Sequence, residues 1–340
     1  MQGLLLVNLG TPDAPRTAEV RAYLREFLSD PRVIDLPAPA RWALVNLVIA
    51  PFRSSRSAEA YRKVWTEAGS PLLVHGLALR DAVRARLGAG TPVELGMRYG
   101  RPSIGTAFRA LRGAGADRIV VLPLFPQHSS AAWGSAVECV LELAAGEENV
   151  PSLAVVPPYF DHPAFVDAQA DVARPALAAF RPDRVIVSFH GLPERQIRRG
   201  DESGRHCLAS ADCCARMVAA NASCYRAQCF ATARAVARNL GLADDTYEVA
   251  FQSRLGRTPW IRPWTDERVV ALARSGVRRL AVLTPSFVAD CLETIEEIGI
   301  RARESFVGAG GEDLLAVPCV NAHPSWADGA VRLARDAGLR

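Results

Sequence analysis

The sequence predicts an α/β protein of two similar, doubly wound (Rossmann-like) domains, each on a parallel four-stranded sheet with a cleft between them. Three observations carry the prediction. Eight short apolar runs lack polar alternation and are separated by helix-length segments, the pattern of strands buried on both faces. The two halves repeat: LLLVNLGTP (4–12) matches VIVSFHGLP (185–193), and LRGAGADRIVVLPLFP (111–126) matches LARSGVRRLAVLTPSF (272–287), in the same order. The chain, 340 residues and 49% hydrophobic, is long enough for two cores without disulfide staples.

The first run, Leu4–Gly10, lies in MQGLLLVNLGTPDAP, which has no basic leader or small-residue cleavage site and reads as a strand, not a signal peptide. A cytoplasmic location is the expectation. The segment 36–65 mixes apolar residues with Arg53, Arg56 and Arg62 and is a candidate lip, although amphipathicity serves a core helix equally well. Its most apolar part, Trp42 to Phe52, falls far short of the roughly 18 residues that span a bilayer, so it is expected to touch a membrane at most, peripherally. The next strands are Val93–Tyr99, Arg118–Pro126 and Leu153–Pro157, followed by a hinge at the proline-rich VVPPYFDHP (155–163). The second half supplies Arg184–His190, Tyr247–Ser253, Arg279–Phe287 and Leu314–Val320. The expected domains are 1–160 and 161–315, with 316–340 packing back on the first.

Forty basic against thirty-six acidic residues give a net charge of +4 with no basic stripe, which excludes a nucleic-acid partner. Five of the eight cysteines, Cys207, Cys213, Cys214, Cys224 and Cys229, crowd a short segment. In a reducing compartment such crowding signals metal chemistry. Paired C-x-x-C knuckles are missing, which disfavours a zinc ribbon, while all-thiolate ligation suits either zinc or an iron–sulfur cluster. Cys139 and Cys319 lie in apolar surroundings and read as packing.

His190 ends a central strand, where α/β folds place ligands, and an imidazole there accepts a proton or holds a metal. A hydrogen-bonded structural histidine is the plainer reading. At the equivalent strand end comes PSFVADCLETIEEIGI (285–300), and on an α-helix Asp290, Glu293 and Glu297 share one face. Helix capping by Asp290 with Glu293 accounts for two acids but not for the row. Facing a histidine, such a row delivers a divalent cation or removes protons.

NLGTPDAP (8–15), MRYGRPSI (97–104), LPLFPQHSSAAWGS (122–135), SFHGLPERQ (188–196), FQSRLGRTPWIRPWTDE (251–267) and FVADCLETIEEIGI (287–300) resemble the ferrochelatase motifs in family order, over nearly the whole chain. The resemblance implies a chelatase-like fold and insertion of Fe(II), a substrate, into a porphyrin. It places the metal-handling histidine on His190 and the essential glutamate on Glu293, with Glu297 continuing the acidic path. Arg98, Tyr99, Gln127, Ser130, Gln252, Ser253 and Trp260 fall along the porphyrin cleft. Where some ferrochelatases carry a second histidine two residues before the glutamate, this chain has Cys291. Residues 202–224 resemble an insertion that in some members holds a 2Fe–2S cluster, with Cys207, Cys213, Cys214 and Cys224 as ligands and Cys229 able to replace one of the adjacent pair. Protoporphyrin is the expected substrate, to give protohaem. The alternatives are coproporphyrin, or a cobalt or nickel chelatase of related fold, which typically lacks the QSRLG…PW stretch. A two-lobed binding protein shares the architecture, but not the acidic row opposite a histidine.

Overall fold

The computed structural model describes residues 1–254, 256 and 258–340; Leu255 and Arg257, inside the FQSRLGRTPW stretch, lie outside it. The first parallel sheet holds β1 (Gln2–Thr11), β2 (Val93–Gly100), β3 (Arg118–Pro123) and β4 (Ser152–Val155) in the order β2-β1-β3-β4. The second holds β5 (Arg184–His190), β6 (Tyr247–Gln252), β7 (Arg279–Leu283) and β8 (Asp313–Ala316) in the order β6-β5-β7-β8. The two orders are equivalent, with β1 matching β5 and β3 matching β7, as the sequence repeat requires. The likeness runs past the third strand of each sheet: a π-helix, Ser130–Gly134, follows β3, and another, Glu293–Ala302, follows β7.

The chain divides into two compact units, one of residues 1–125, 129–157 and 327–340, the other of 126–128 and 158–326. In the first unit, Leu5 and Val7 of β1 pack with Ile119 and Val121 of β3 against Phe108 and Leu111. Gly10 has a φ of +122° and lies so close to Tyr99 that a Cβ would overlap the Tyr99 carbonyl oxygen. Only glycine lets β1 and β2 pair at that point. In the second unit, successive residues of β5 face opposite cores: Val187 and Phe189 pack with Phe251 and the cysteine-rich segment, Ile186 with Val282 and Phe306. Burial on both faces is why these strands read as unbroken apolar runs.

β3, β7 and β8 end before the predicted Pro126, Phe287 and Val320. Prolines at 123, 126, 285 and 318 lack the N–H that a ladder needs, so Leu124, Val317 and Val320 stay buried without continuing a strand. Segment 36–65 is helical from Ala38 to Val64, with a π-helical stretch at Leu44–Ile49. Val45, Ala50, Ala58 and Tyr61 are buried, while Trp42, Leu47, Val48 and Phe52 are all more than half exposed. One face of the segment thus belongs to the core, and the other presents apolar side chains outward. No helix among the described residues is long and apolar enough to cross a membrane.

Candidate active site

In each sheet the strand order reverses beside the first strand in sequence, and the carboxyl end of that strand is where open α/β sheets bind ligands. In the second unit this position is occupied by the end of β5. Strand pairing sets His190 opposite Gln252, and β5 and β6 both reach past the last β7 pair, Val187–Leu283. His190 Nδ1 lies 2.6 Å from the Gly191 carbonyl oxygen. A carbonyl only accepts, so Nδ1 carries the proton and Nε2 presents its lone pair. The His190 N–H donates to Ser286 Oγ at 3.1 Å, and the Tyr225 hydroxyl donates to the His190 carbonyl at 2.7 Å. The Phe287 ring meets the imidazole edge-on at 6.3 Å.

Gln252 is oriented from below. Ser188 Oγ donates to its Oε1 at 2.8 Å, which turns Nε2 toward the Glu293 carbonyl at 2.9 Å and Glu297 Oε2 at 3.4 Å. Ser253, at a φ of +66°, donates its hydroxyl to the same Glu297 oxygen, and Arg301 Nη2 approaches the other at 3.1 Å. Burial and the charge of Glu293 still push the Glu297 carboxyl up, against the pull of Ser253, Arg301 and His190. His190, Gln252, Ser253, Glu293 and Glu297 are thus brought together, and Trp260 lies against Gly191, where a Cβ would stand 3.3 Å from the indole.

The acidic row differs from its α-helical expectation. The helix begins at Glu293 and is a π-helix, which places its carboxylates by i→i+5 bonding. Asp290 lies before it, and its carboxylate accepts from Thr294 Oγ1 at 2.9 Å, Asn321 Nδ2 at 2.7 Å and the Cys319 N–H, so it ties loops together. Glu296 is buried and paired with Arg301 Nε at 2.7 Å. Cys291 is buried beside Glu293, and burial raises its thiol far above the usual range.

Gln127 also belongs to the second unit, where its Nε2 donates to Thr232 Oγ1 at 3.0 Å and the Pro285 carbonyl at 3.3 Å. Arg98, Tyr99 and Ser130 form a separate group in the first unit around Asp30, which the sequence reading missed. One oxygen of Asp30 accepts from Arg98 Nη2 at 2.8 Å, the Tyr99 hydroxyl at 2.8 Å and Ser135 Oγ at 2.5 Å; the other accepts the Arg32 N–H at 2.7 Å. Burial alone raises the Asp30 carboxyl, but these donors, Ser135 foremost, together hold it below its ordinary value. Arg32 grips Glu138 with two nitrogens at 2.7 and 3.2 Å and donates to Ser130 Oγ at 2.9 Å. The signal in the sequence was the turn Ser-Asp-Pro-Arg (29–32), which reads as a helix stop.

The cysteine segment is shaped by polar side chains. Asp201 accepts the N–H groups of Ser203, His206 and Cys207, and the Asn221 amide donates to the carbonyls of Cys213 and Arg216. Cys207, Cys213, Cys214, Cys224 and Cys229 are all buried in one cluster. The Cys213 and Cys214 sulfurs are 3.7 Å apart, and Cys207 and Cys224 are buried in the same cluster. Arg226 Nη1 donates to Cys214 Sγ at 3.2 Å and reaches Cys213 Sγ at 3.9 Å. Among the described residues no three His, Cys, Asp or Glu side chains stand ready to hold a metal ion. In donor type and number, though, four cysteines buried in one cluster suit an all-thiolate group.

Paired four-stranded parallel sheets, with a histidine and two glutamates at a strand-order reversal, define a chelatase-like α/β protein. Sirohydrochlorin chelatase SirB of Bacillus subtilis, solved with Fe3+, shares this fold at a TM-score of 0.54 and 13% identity, over 99% of this chain and 95% of its own. SirB of Bacillus subtilis subspecies spizizenii with cobalt gives a TM-score of 0.55 at 12% identity, over 99% and 94%. The ferrochelatase family model matches residues 1–337. Ferrochelatase of Azotobacter vinelandii is 48% identical over 98% of both chains, and that of Coxiella burnetii (strain CbuG_Q212) 45% identical over 98% of this chain and 93% of its own. The chain belongs to the ferrochelatase family and is a porphyrin metal chelatase.

Proposed function

We propose that the protein inserts Fe(II) into protoporphyrin IX to form protohaem, with His190, Glu293 and Glu297 carrying the chemistry. The observation that carries this reading is the meeting, at one strand-order reversal, of an imidazole whose Nε2 is left basic with two carboxylates. In the reaction two pyrrole N–H bonds break, two protons leave, and the ferrous ion, shedding water, takes four ring nitrogens; no electron is transferred. His190 Nε2 accepts a pyrrole proton, Glu293 anchors the arriving metal, and Glu297 passes protons outward past Ser253. A rigid wall against the macrocycle favours the bent porphyrin that resembles the transition state. By the motif reading, Gln127, Gln252, Ser253, Trp260, Arg98, Tyr99 and Ser130 contact the porphyrin.

Cys207, Cys213, Cys214 and Cys224 would hold a 2Fe–2S cluster; when bound, it supplies metal–sulfur links that cross-brace residues 207–224 and takes no part in proton transfer. The exposed Trp42, Leu47, Val48 and Phe52 support peripheral contact with the cytoplasmic face of a membrane, the source of an apolar porphyrin.

Protein purified without air is assayed with Fe(II) and protoporphyrin, beside coproporphyrin. We expect protohaem formation with protoporphyrin preferred, visible charge-transfer bands, and a loss of about 10²–10⁴ in kcat for His190→Ala with porphyrin binding retained. Porphyrin binding without metallation by the wild type overturns the reading in favour of a carrier.

A further inference from the structure

We propose that Tyr225 is a positioning residue that fixes the proton-accepting tautomer of His190, and that the cysteine segment acts on the reaction through it. The second half rests on the metal-cluster reading above. The peptide joining His190 to Gly191 is held at both ends: its oxygen accepts the Tyr225 hydroxyl at 2.7 Å, and its N–H donates to the Gln252 carbonyl at 2.7 Å. That clamp sets where the next carbonyl, Gly191 O, stands, and Gly191 O is the group that accepts the hydrogen bond from Nδ1–H. Without the phenol oxygen only the Gly191 N–H bond holds the peptide, which then turns enough for Gly191 O to leave Nδ1, and the neutral ring populates the form protonated at Nε2. In that form Nε2 accepts nothing.

Tyr225 is itself buried and is the first residue of the helix Tyr225–Leu240, directly after Cys224. Cys224 is buried in one cluster with Cys207, Cys213, Cys214 and Tyr225, so a group bound by these sulfurs would fix the start of that helix and with it the phenol. A cluster with no redox task in metallation thereby acquires a mechanical one.

The test uses anaerobically purified full-length protein, its histidines labelled with ¹⁵N for tautomer assignment by NMR, with steady-state kinetics in parallel. Tyr225→Phe is expected to keep its Tm, lower kcat about ten- to hundredfold with KM for porphyrin unchanged, and move the His190 signals toward the Nε2–H form. Ser286→Ala, which frees the His190 N–H, serves as a second variant and shifts both readouts the same way. Cys224→Ser lowers kcat in the wild type but adds nothing in Tyr225→Phe, because the two losses share one path. A wild-type kcat and tautomer in Tyr225→Phe overturn the role of Tyr225. Multiplying losses in the double variant overturn the route from the cysteines. A protein without visible absorption bands overturns the cluster reading alone, since the imidazole signals and kcat still judge Tyr225.

Discussion

Glu297 and Asp30 carry opposite pKa shifts, and each has a measurable consequence. Glu297 is held above the ordinary carboxylate range by burial and by the charge of Glu293. A proton relay needs its ionised form, so kcat should fall as pH drops through a value higher than an exposed glutamate would give, and Glu297→Gln should remove that acid limb. Asp30 is held below its ordinary value by the donors around it, which outweigh its burial. Its contribution to stability is therefore complete above the unfolded-state pKa, about 3.9, and disappears as pH falls through the folded one. Asp30→Ala should cost about 3 kcal/mol near neutral pH, the lower end for a broken buried pair because the Arg98 side chain keeps 23% exposure. Thermal melts across pH check this, and the gap between variant and wild type should close in acid. Of these residues, His190 was legible in the sequence because a strand end in an α/β repeat is a topological address. Asp30 and Tyr225 were not, since their importance lies in which distant backbone and side-chain groups they meet.

At the scale of elements, the strands were legible because burial on both faces leaves a run of apolar residues with turn signals at its ends. The apolar runs overshot where prolines stop the ladder but the core continues, as at Val317 to Val320. The π-helices were invisible: a stretch as short as Ser130–Gly134 does not resolve i→i+4 from i→i+5 bonding by its periodicity. The predicted row of Asp290, Glu293 and Glu297 became a pair because Asp290 lies before the helix and is bound to Thr294, Cys319 and Asn321. The β5–β6 junction makes a sharper prediction. A Cβ on Gly191 would stand 2.9 Å from the Gln252 carbonyl oxygen, a backbone atom that cannot swing aside. Gly191→Ala should displace the residue whose carbonyl sets the His190 tautomer and lose at least about tenfold in kcat, while far-ultraviolet circular dichroism stays unchanged.

For the molecule as a whole, the apolar side chains projecting from Ala38–Val64 predict an affinity for lipid that the folded core does not require. Replacing Leu47 and Phe52 by Asp together should weaken co-sedimentation with liposomes about a hundredfold or more, at about 1.5–3 kcal/mol for each lost apolar contact, and leave Tm unchanged. The duplicated plan was readable from two short sequence pairs because equivalent strands meet equivalent packing demands. Residues 126–128 count with the second unit, and residues 327–340 count with the first, a shorter stretch than the 316–340 expected to pack back on it. Asp328 pairs with Arg86, and Gln2 bonds with both Gly338 and Arg340, so the opening strand is laced to the last residues. On the ribosome this imposes an order. The unit whose strands emerge first waits unfinished while residues 158–326 are made, so the later-born half closes before the earlier one, and a released chain truncated after Trp326 should hold its second unit protected from protease and its first unit open.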